Sequence, residues 1–491
     1  MSFPADPARP SRYRYVILAL LCFLAMITYM DRAANGSAKA DILADLNKER
    51  SADKQLDIEN DFFIVLMAFQ LAYALFEIPS GWLGDTVGPR STLLRVVLWW
   101  SVFVALTGFT GQWLFGGTIF VGYWSLVGIQ FLFGVGEAGA FPNIARALYN
   151  WFPAADRGFA KSAVWMSARL MGGLTPFVWL LITDVQFGGW KWNEAMWLFA
   201  GIAIFWCILF YFFFKNKPGE VNSVNAAERA LIDAGRKPPV SHAGMPWRKI
   251  FTSRNLWAVC GMYVVTNFCW YYLMYNHPRA MKEQFKSWAI NDDSSPNAEG
   301  KIALALLSGA PLIVGMFGCL LGGLLTDRYI RRTGDRKWGR RIFGIAGYAG
   351  AGICYLIAAG LKLDDPGNLI AYAGVLILMG FMNDLIMAPA WAVCQDIGQE
   401  YAATVSGTMN MVGNLLGGVV GILVTGLIQK SYRREDGTQD SLGDVYLFGL
   451  YACVYFLGCG LWMLIDASKP IVPEPVKPET PDESAGLVEP G

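Results

Sequence analysis

The chain has 491 residues, of which 54% are hydrophobic and only 16% charged, and its mean hydropathy is +0.36. Soluble chains carry about 25% charged residues, so this length does not mean two or three soluble domains; the composition is that of a polytopic membrane protein. A net charge of +1 excludes the basic surface that nucleic-acid binding needs.

The N-terminus carries Arg9, Arg12 and Arg14 before an apolar run, which mimics a signal peptide. The run is too long for one and holds Asp31-Arg32 where cleavage would fall, so it reads as an uncleaved first span. A span needs about 20 apolar residues to cross the hydrocarbon layer. Twelve segments qualify, near 13–36, 61–83, 93–112, 118–148, 159–183, 196–214, 255–276, 303–325, 342–361, 368–394, 403–429 and 445–466. The predicted fold class is therefore an all-α membrane protein with 12 transmembrane helices.

Loop charge sets the expected orientation. The connection after span 6 holds Arg229, Arg236, Lys237, Arg248 and Lys249, and the one after span 8 holds Arg328, Arg331, Arg332, Arg336, Arg340 and Arg341. The loop after span 3 has no charge, and the one after span 1 has more acids than bases. Lys and Arg mark the cytoplasmic side, which places both termini in the cytoplasm. The central loop divides the chain into 1–214, a six-helix bundle; 215–254, the loop; 255–466, a second six-helix bundle; and 467–491, a Pro- and Glu-rich tail expected to be disordered.

A repeat supports that division. Gly81, Asp85, Gly88 and Arg90 form G-x-x-x-D-x-x-G-x-R after span 2, and Gly323-Leu-Leu-Thr-Asp327-Arg328 follows span 8. Gly81 lets two helices approach closely. Asp85 is an anion at a helix end, able to meet a neighbouring helix N-terminus and a guanidinium. Such a cluster can latch one conformation and release it in another. Repeated halves with a site between them are a transporter architecture.

The nine cysteines all lie in apolar runs with no C-x-x-C pair, and only His242 and His277 are present. No disulfide framework or His/Cys metal site follows. No P-loop G-x-x-x-x-G-K-[ST] is present, so no nucleotide-driven step and no cofactor is expected.

Charges inside spans are costly and face a cavity or a partner. They are Asp31, Arg32, Glu77, Glu137, Arg169 and Asp384. Arg32 shares a face with Thr28 and Asn35-Gly36. A fixed guanidinium there can fork a carboxylate, or pair structurally with Asp31 or Glu137. Glu137 lies on a face with Gln130 and Gly134, and a carboxyl lining a low-dielectric cavity suits a proton carrier. A permanent ion pair with Arg32 or Arg169 is the alternative. Glu77 shares a face with Gln70 and Tyr73, as a second protonation site or a helix-end charge. Asn383-Asp384 is either a polar cavity wall or a structural partner. Asn410 and Asn414 form a stripe with Ser406 and Gly417, and buried amides need partners: substrate hydroxyls or other helices. Trp270, Tyr271 and Tyr275 can wall the cavity or pack.

Taken together, Tyr29-Met-Asp31-Arg32, Gly134-Val-Gly-Glu137-Ala138 with Phe141-Pro142, Trp151-Phe152-Pro153 with Arg157-Gly158, Lys217-Pro218, Trp391 with Asp396, and Asn410-Met-Val-Gly-Asn414-Leu-Leu-Gly-Gly418 resemble the major facilitator superfamily. More narrowly, residues 13–466 resemble its anion:cation symporters, which include bacterial hexuronate, glucarate and galactonate transporters. The resemblance implies two six-helix bundles alternating in access, a monomer in contact with membrane lipids, and a bacterial inner-membrane location. It implies a small-molecule organic anion, such as a sugar acid, imported with protons as the coupling ion. Arg32 is then the anion anchor, and Asp31 with Glu137 the coupling pair. The family commonly has an Arg seven residues before the span-4 Glu; here that position is Gln130, and span 5 instead carries Arg169. The expectation is a cation moved between neighbouring helices, or a changed ligand, with Asn410 and Asn414 completing the substrate site. A facilitator or exchanger of the same fold is the nearest rival, and a transporter-like receptor a more distant one. No positioned His, Cys or Ser–base constellation suggests an enzyme.

Overall fold

The structure, a computed structural model, describes residues 9–48, 50–51, 55–56, 61–114, 117, 119–153, 156–233, 247–290, 297–361, 366–398, 402–432 and 441–471. Eleven helices among the described residues are long and apolar enough to cross a membrane. In the first half these are α1 (Tyr13–Asn47), α2 (Asp61–Val87), α3 (Pro89–Thr107), α4 (Tyr123–Trp151), α5 (Arg157–Thr183) and α6 (Trp192–Phe213).

Helix α7 (Arg254–Tyr271) is the predicted span that falls short on composition, because it carries Arg254, Asn255, Thr266 and Asn267. It runs on through a π-helical turn, Tyr272–Asn276. Then come α8 (Ala298–Thr333), α9 (Arg336–Gly360), α10 (Asn368–Gly398), α11 (Thr404–Ser431) and α12 (Ser441–Leu464).

Several boundaries differ from the sequence expectation. Helix α1 continues to Asn47 rather than ending near 36, because Ala38, Ile42, Leu43 and Leu46 keep an apolar buried stripe beyond the polar Asn35-Gly36. Span 3 ends at Thr107 rather than 112. The residues expected to begin span 4 at 118 instead form a small antiparallel ladder, β1 (Trp113–Leu114) with β2 (Ile119–Phe120). Aromatic, β-branched residues around a Gly-Gly pair favour a hairpin as readily as a helix start.

Local signals fix the helix ends. Ser253, Asn297 and Asp335 each accept a backbone N–H of the first turn of α7, α8 and α9. Gly88, between α2 and α3, has φ +96°, a conformation that other residues rarely adopt, and Pro89 then opens α3. One apolar core runs through α1–α6 and a second through α7–α12; the first also takes in Trp270, Tyr271 and Met274. Along the seam α5 meets α8, where Gly173 faces Gly309 so closely that a methyl on either would press on the other's backbone. Helices in lipid gain stability from such close packing rather than from the hydrophobic effect.

At the end of the bundle opposite the basic loops, a vestibule of about 1100 Å³ lies between α1, α5, α6 and α8. Lys301 of α8 bridges it to Asp184, just beyond α5, at 2.8 Å. Slight burial works against the Asp184 charge, but hydrogen bonds from Lys301 and the Gln186 backbone N–H hold its carboxyl below the usual range. A carboxyl so lowered contributes to stability above its unfolded pKa of about 4 and loses that contribution as pH falls through the lower folded value. The tie is therefore intact throughout pH 5–8. Lys301→Met is expected to cost less than about 1 kcal/mol, with no change in the shape of a melting-temperature profile between pH 5 and 8. A pH-dependent loss within that window would show that the tie has a different chemistry.

Candidate functional site

Between the two cores lies a small buried cavity of about 30 Å³. That is room for about one or two waters, so the site is closed around its centre. Its wall is aromatic and amide-rich: Tyr29, Tyr73, Trp165, Trp270, Asn410 and Asn414 are among its lining residues. Two cations line it as well, Arg32 and Arg169.

Each cation is backed by a carboxylate that does not line the cavity. Arg32 Nε donates to Glu137 Oε1 at 2.6 Å, with both side chains buried. The Arg32 guanidinium stacks over Tyr73, 4.3 Å from the ring centre, and its Nη2 has no hydrogen-bond partner among the described residues. Arg169 Nε lies 2.7 Å from Asp384 Oδ2, and Nη2 donates to Oδ1 at 2.9 Å. Arg169 Nη1 donates to the Tyr29 hydroxyl at 2.9 Å. This second pair joins α5 to α10 and so ties the two cores. Asp31 is buried next to Arg32 in the chain, and neither carboxylate oxygen has a hydrogen-bond partner among the described residues.

A third tie crosses the seam. Asn410 of α11 donates to Glu77 of α2. Gln70, Asn267 and Tyr271 all donate to Asn414 Oδ1, at 3.1, 3.1 and 2.9 Å. Asn414 sits in a π-helical segment, Gly413–Val419, and the second such segment, in α7, begins beside Tyr271. π-Segments re-aim side chains and cluster at functional sites; here one carries the lining residue Asn414 and the other begins just after the lining residue Tyr271.

The sequence-predicted residues thus divide. Arg32, Arg169, Asn410 and Asn414 meet at the cavity, with Glu137 one bond behind. Arg169 does not neutralise Glu137; its partner is Asp384. Gln130 does not line the cavity: its Nε2 donates to Asn35 Oδ1 at 3.0 Å and to Thr107 Oγ1 at 3.1 Å. An exchange of one cation between positions 130 and 169 therefore has no common site to serve. Glu77 is not a free helix-end charge but the partner of Asn410. Asn267 and Tyr263, both lining residues, were missed by sequence reasoning; Asn267, an amide inside an apolar span, carried the signal. Lys161 was missed too. It lies near the start of α5, and its Nζ sits 4.6 Å from the centre of the Trp391 ring.

The repeated motif lies at the basic end. Gly81 packs by Pro142. The Arg90 backbone N–H donates to Asn216 Oδ1 at 3.0 Å, and its guanidinium donates to the Tyr211 carbonyl at 2.6 Å. The Asp85 side chain lies outside the described residues. In the second copy Arg340 bridges Asp327 at 3.6 Å and Asp396 at 3.0 Å, and Arg328 is exposed.

A family profile for the Major Facilitator Superfamily matches residues 21–422. The probable sulfoacetate transporter SauU of Cupriavidus necator is 32% identical over 85% of this chain and 88% of its own. The D-galactonate transporter of Escherichia coli is 24% identical over 88% of this chain and 93% of its own. Among solved structures, the partially occluded, inward-open xylose transporter XylE from E. coli superposes with a TM-score of 0.64 at 13% identity, covering 91% of this chain and 96% of that one. A bacterial homologue of the human lysosomal transporter Spinster, inward-facing and unoccupied, gives a TM-score of 0.62 at 15% identity over 92% and 98%.

Proposed function

The chain belongs to the major facilitator superfamily, and from that premise we propose that it imports a small organic anion by proton symport with alternating access. It is a multi-pass membrane transporter, not an enzyme, and its relatives carry organic anions such as sulfoacetate and sugar acids. The observation that carries the proposal is the layering of charge: cations line the cavity, and a carboxylate stands behind each. An anion entering such a cavity competes with the resident carboxylates for the guanidiniums. A proton on a carboxylate releases its Arg to the anion, so anion and proton bind together.

In this reading Arg32 anchors the acid group, and Asn410 and Asn414 meet hydroxyl or other polar groups. Glu137 carries the proton, with Asp31 as the second acid. The halves 1–214 and 255–466 rock about the cavity, linked by 215–254, and the tail 467–491 lies in the cytoplasm with the N-terminus. The motif residues Gly81, Asp85, Gly88, Arg90, Asp327 and Arg328 govern closure at the cytoplasmic end. The location is the bacterial inner membrane, and the working unit is a monomer.

Uptake of labelled sulfoacetate, D-galactonate and D-glucarate into proteoliposomes tests the reading. Accumulation that needs an inward proton gradient and collapses with a protonophore is expected. Gradient-independent equilibration would make the protein a facilitator.

Orientation has its own test. Position 190 sits at the vestibule end and 336 at the basic end. Trp190→Cys is expected to react with an impermeant thiol reagent in intact cells, and Arg336→Cys only after permeabilisation. The reverse pattern would invert the topology.

A further inference from the structure

Arg169 lines the cavity, yet its charge is taken by a residue behind the wall. Nη2 donates to Asp384 Oδ1 at 2.9 Å, while Nε lies 2.7 Å from Oδ2 without a hydrogen bond, so Asp384 uses only one arm of the fork that a guanidinium offers to a carboxylate or sulfonate. The donor set at this end exceeds what Asp384 uses. The Trp270 ring stacks on Arg169 at 4.8 Å, and its Nε1, buried, has no hydrogen-bond partner among the described residues. The Tyr29 hydroxyl accepts from Nη1 and still has a proton to give. Across the cavity Arg32 holds an equally orphaned Nη2. Buried donors without partners are costly, and both belong to lining residues.

We propose, building on the uptake reading, that Arg169 is a second anion subsite, filled in this structure by the protein's own Asp384. It receives the far acid group of a two-headed substrate, a short dicarboxylate or sulfonated carboxylate, when Asp384 takes a proton and lets go. The resting cavity is balanced, Arg32 with Glu137 and Arg169 with Asp384. An acid group at Arg32 alone requires one of these carboxylates to be neutralised. Acid groups at both ends require both, since buried carboxylates beside incoming negative charge do not stay ionised. The proton comes from hydronium, whose O–H bond breaks to leave water as the Asp384 O–H bond forms; no other covalent bond is made or broken.

The groups around Asp384 are consistent with this. Arg169 faces it from α5, and Tyr29 of α1 and Cys319 of α8 lie close enough to interact. On its own helix Asn383 donates to Oδ1 at 3.1 Å, and Tyr455 of α12 in turn donates to Asn383 at 2.8 Å. Arg169 is the cation of the set, so a second anion at Arg169 takes away the charge that keeps Asp384 ionised.

Calorimetry of the purified full-length protein, in buffers of different ionisation enthalpy, counts the protons taken up on binding. Sulfoacetate and D-glucarate serve as two-headed probes and D-galactonate as a one-headed probe. Two-headed probes are expected to draw in one proton more than D-galactonate, or two in all if they alone bind. Asp384→Asn should remove the extra proton and tighten two-headed binding at pH 8 by about tenfold. Equal proton uptake by both classes in the unmodified protein overturns the second subsite, whether or not Asp384→Asn folds. So does binding of D-galactonate alone. Binding of none of the three overturns the uptake reading instead.

Discussion

Glu137→Gln is expected to reduce proton-driven accumulation of the anion to an inside-to-outside ratio near one, while counterflow exchange continues. Glu137 lies behind Arg32 at 2.6 Å, out of contact with the cavity. Its role in the proposed cycle is to hold Arg32 while charged and release it when protonated. Glutamine fixes the released state: its carbonyl still accepts from Arg32 Nε, but the competing charge is gone. Binding of the anion should persist or tighten. Each coupled proton supports about tenfold accumulation per pH unit across the membrane, since one pH unit is 1.4 kcal/mol. A transporter that cannot bind and release that proton equilibrates its cargo instead of concentrating it. Proteoliposomes with an imposed pH difference, assayed for net uptake and for exchange, separate the two activities. Unchanged accumulation in the variant would remove Glu137 from the coupling role.

Much of this site was legible in the sequence because charge inside a span is rare and expensive. Asp31, Arg32, Glu137, Arg169 and Asp384 announce themselves for that reason, and Asn410 and Asn414 do so as amides in an apolar run. Their pairing was not legible. Whether Arg169 meets Glu137 or Asp384 depends on how α5 crosses α8 and α10, and that is set by close contacts such as Gly173 against Gly309. The two π-segments were hidden for a related reason. A single-residue change of helical register leaves no mark on an apolar periodicity, yet it helps to turn Asn414 toward Gln70, Asn267 and Tyr271. Family pattern gave no sign of the partners at position 130: Gln130, where an Arg is usual, bonds to Asn35 of α1 and Thr107 of α3.

Arg169→Ala is expected to destabilise the protein by about 3–5 kcal/mol, because it strands Asp384 as a buried, uncompensated charge. Asp384→Ala should cost a similar amount by stranding Arg169. The double variant Arg169→Ala/Asp384→Ala removes both charges and should recover most of the loss, since a buried pair contributes little net stability over its neutral replacement. The non-additivity is the signature of direct contact, as the close ion pair between α5 and α10 requires. Because the pair also ties the two cores, its removal should favour opening of the cavity and speed proteolysis at the seam. Function separates the double variant from a merely repaired fold. With Arg169 gone, a two-headed anion keeps only the Arg32 anchor, so its affinity should fall roughly ten- to a hundredfold, the worth of one charge-assisted hydrogen bond of about 1.5–3 kcal/mol. Adding Gln130→Arg should restore none of it, because position 130 does not line the cavity. Thermal unfolding and ligand affinity for these four variants decide the matter. Additive destabilisation would deny the ion pair, and wild-type affinity in the folded double variant would confine Arg169 to holding the halves together.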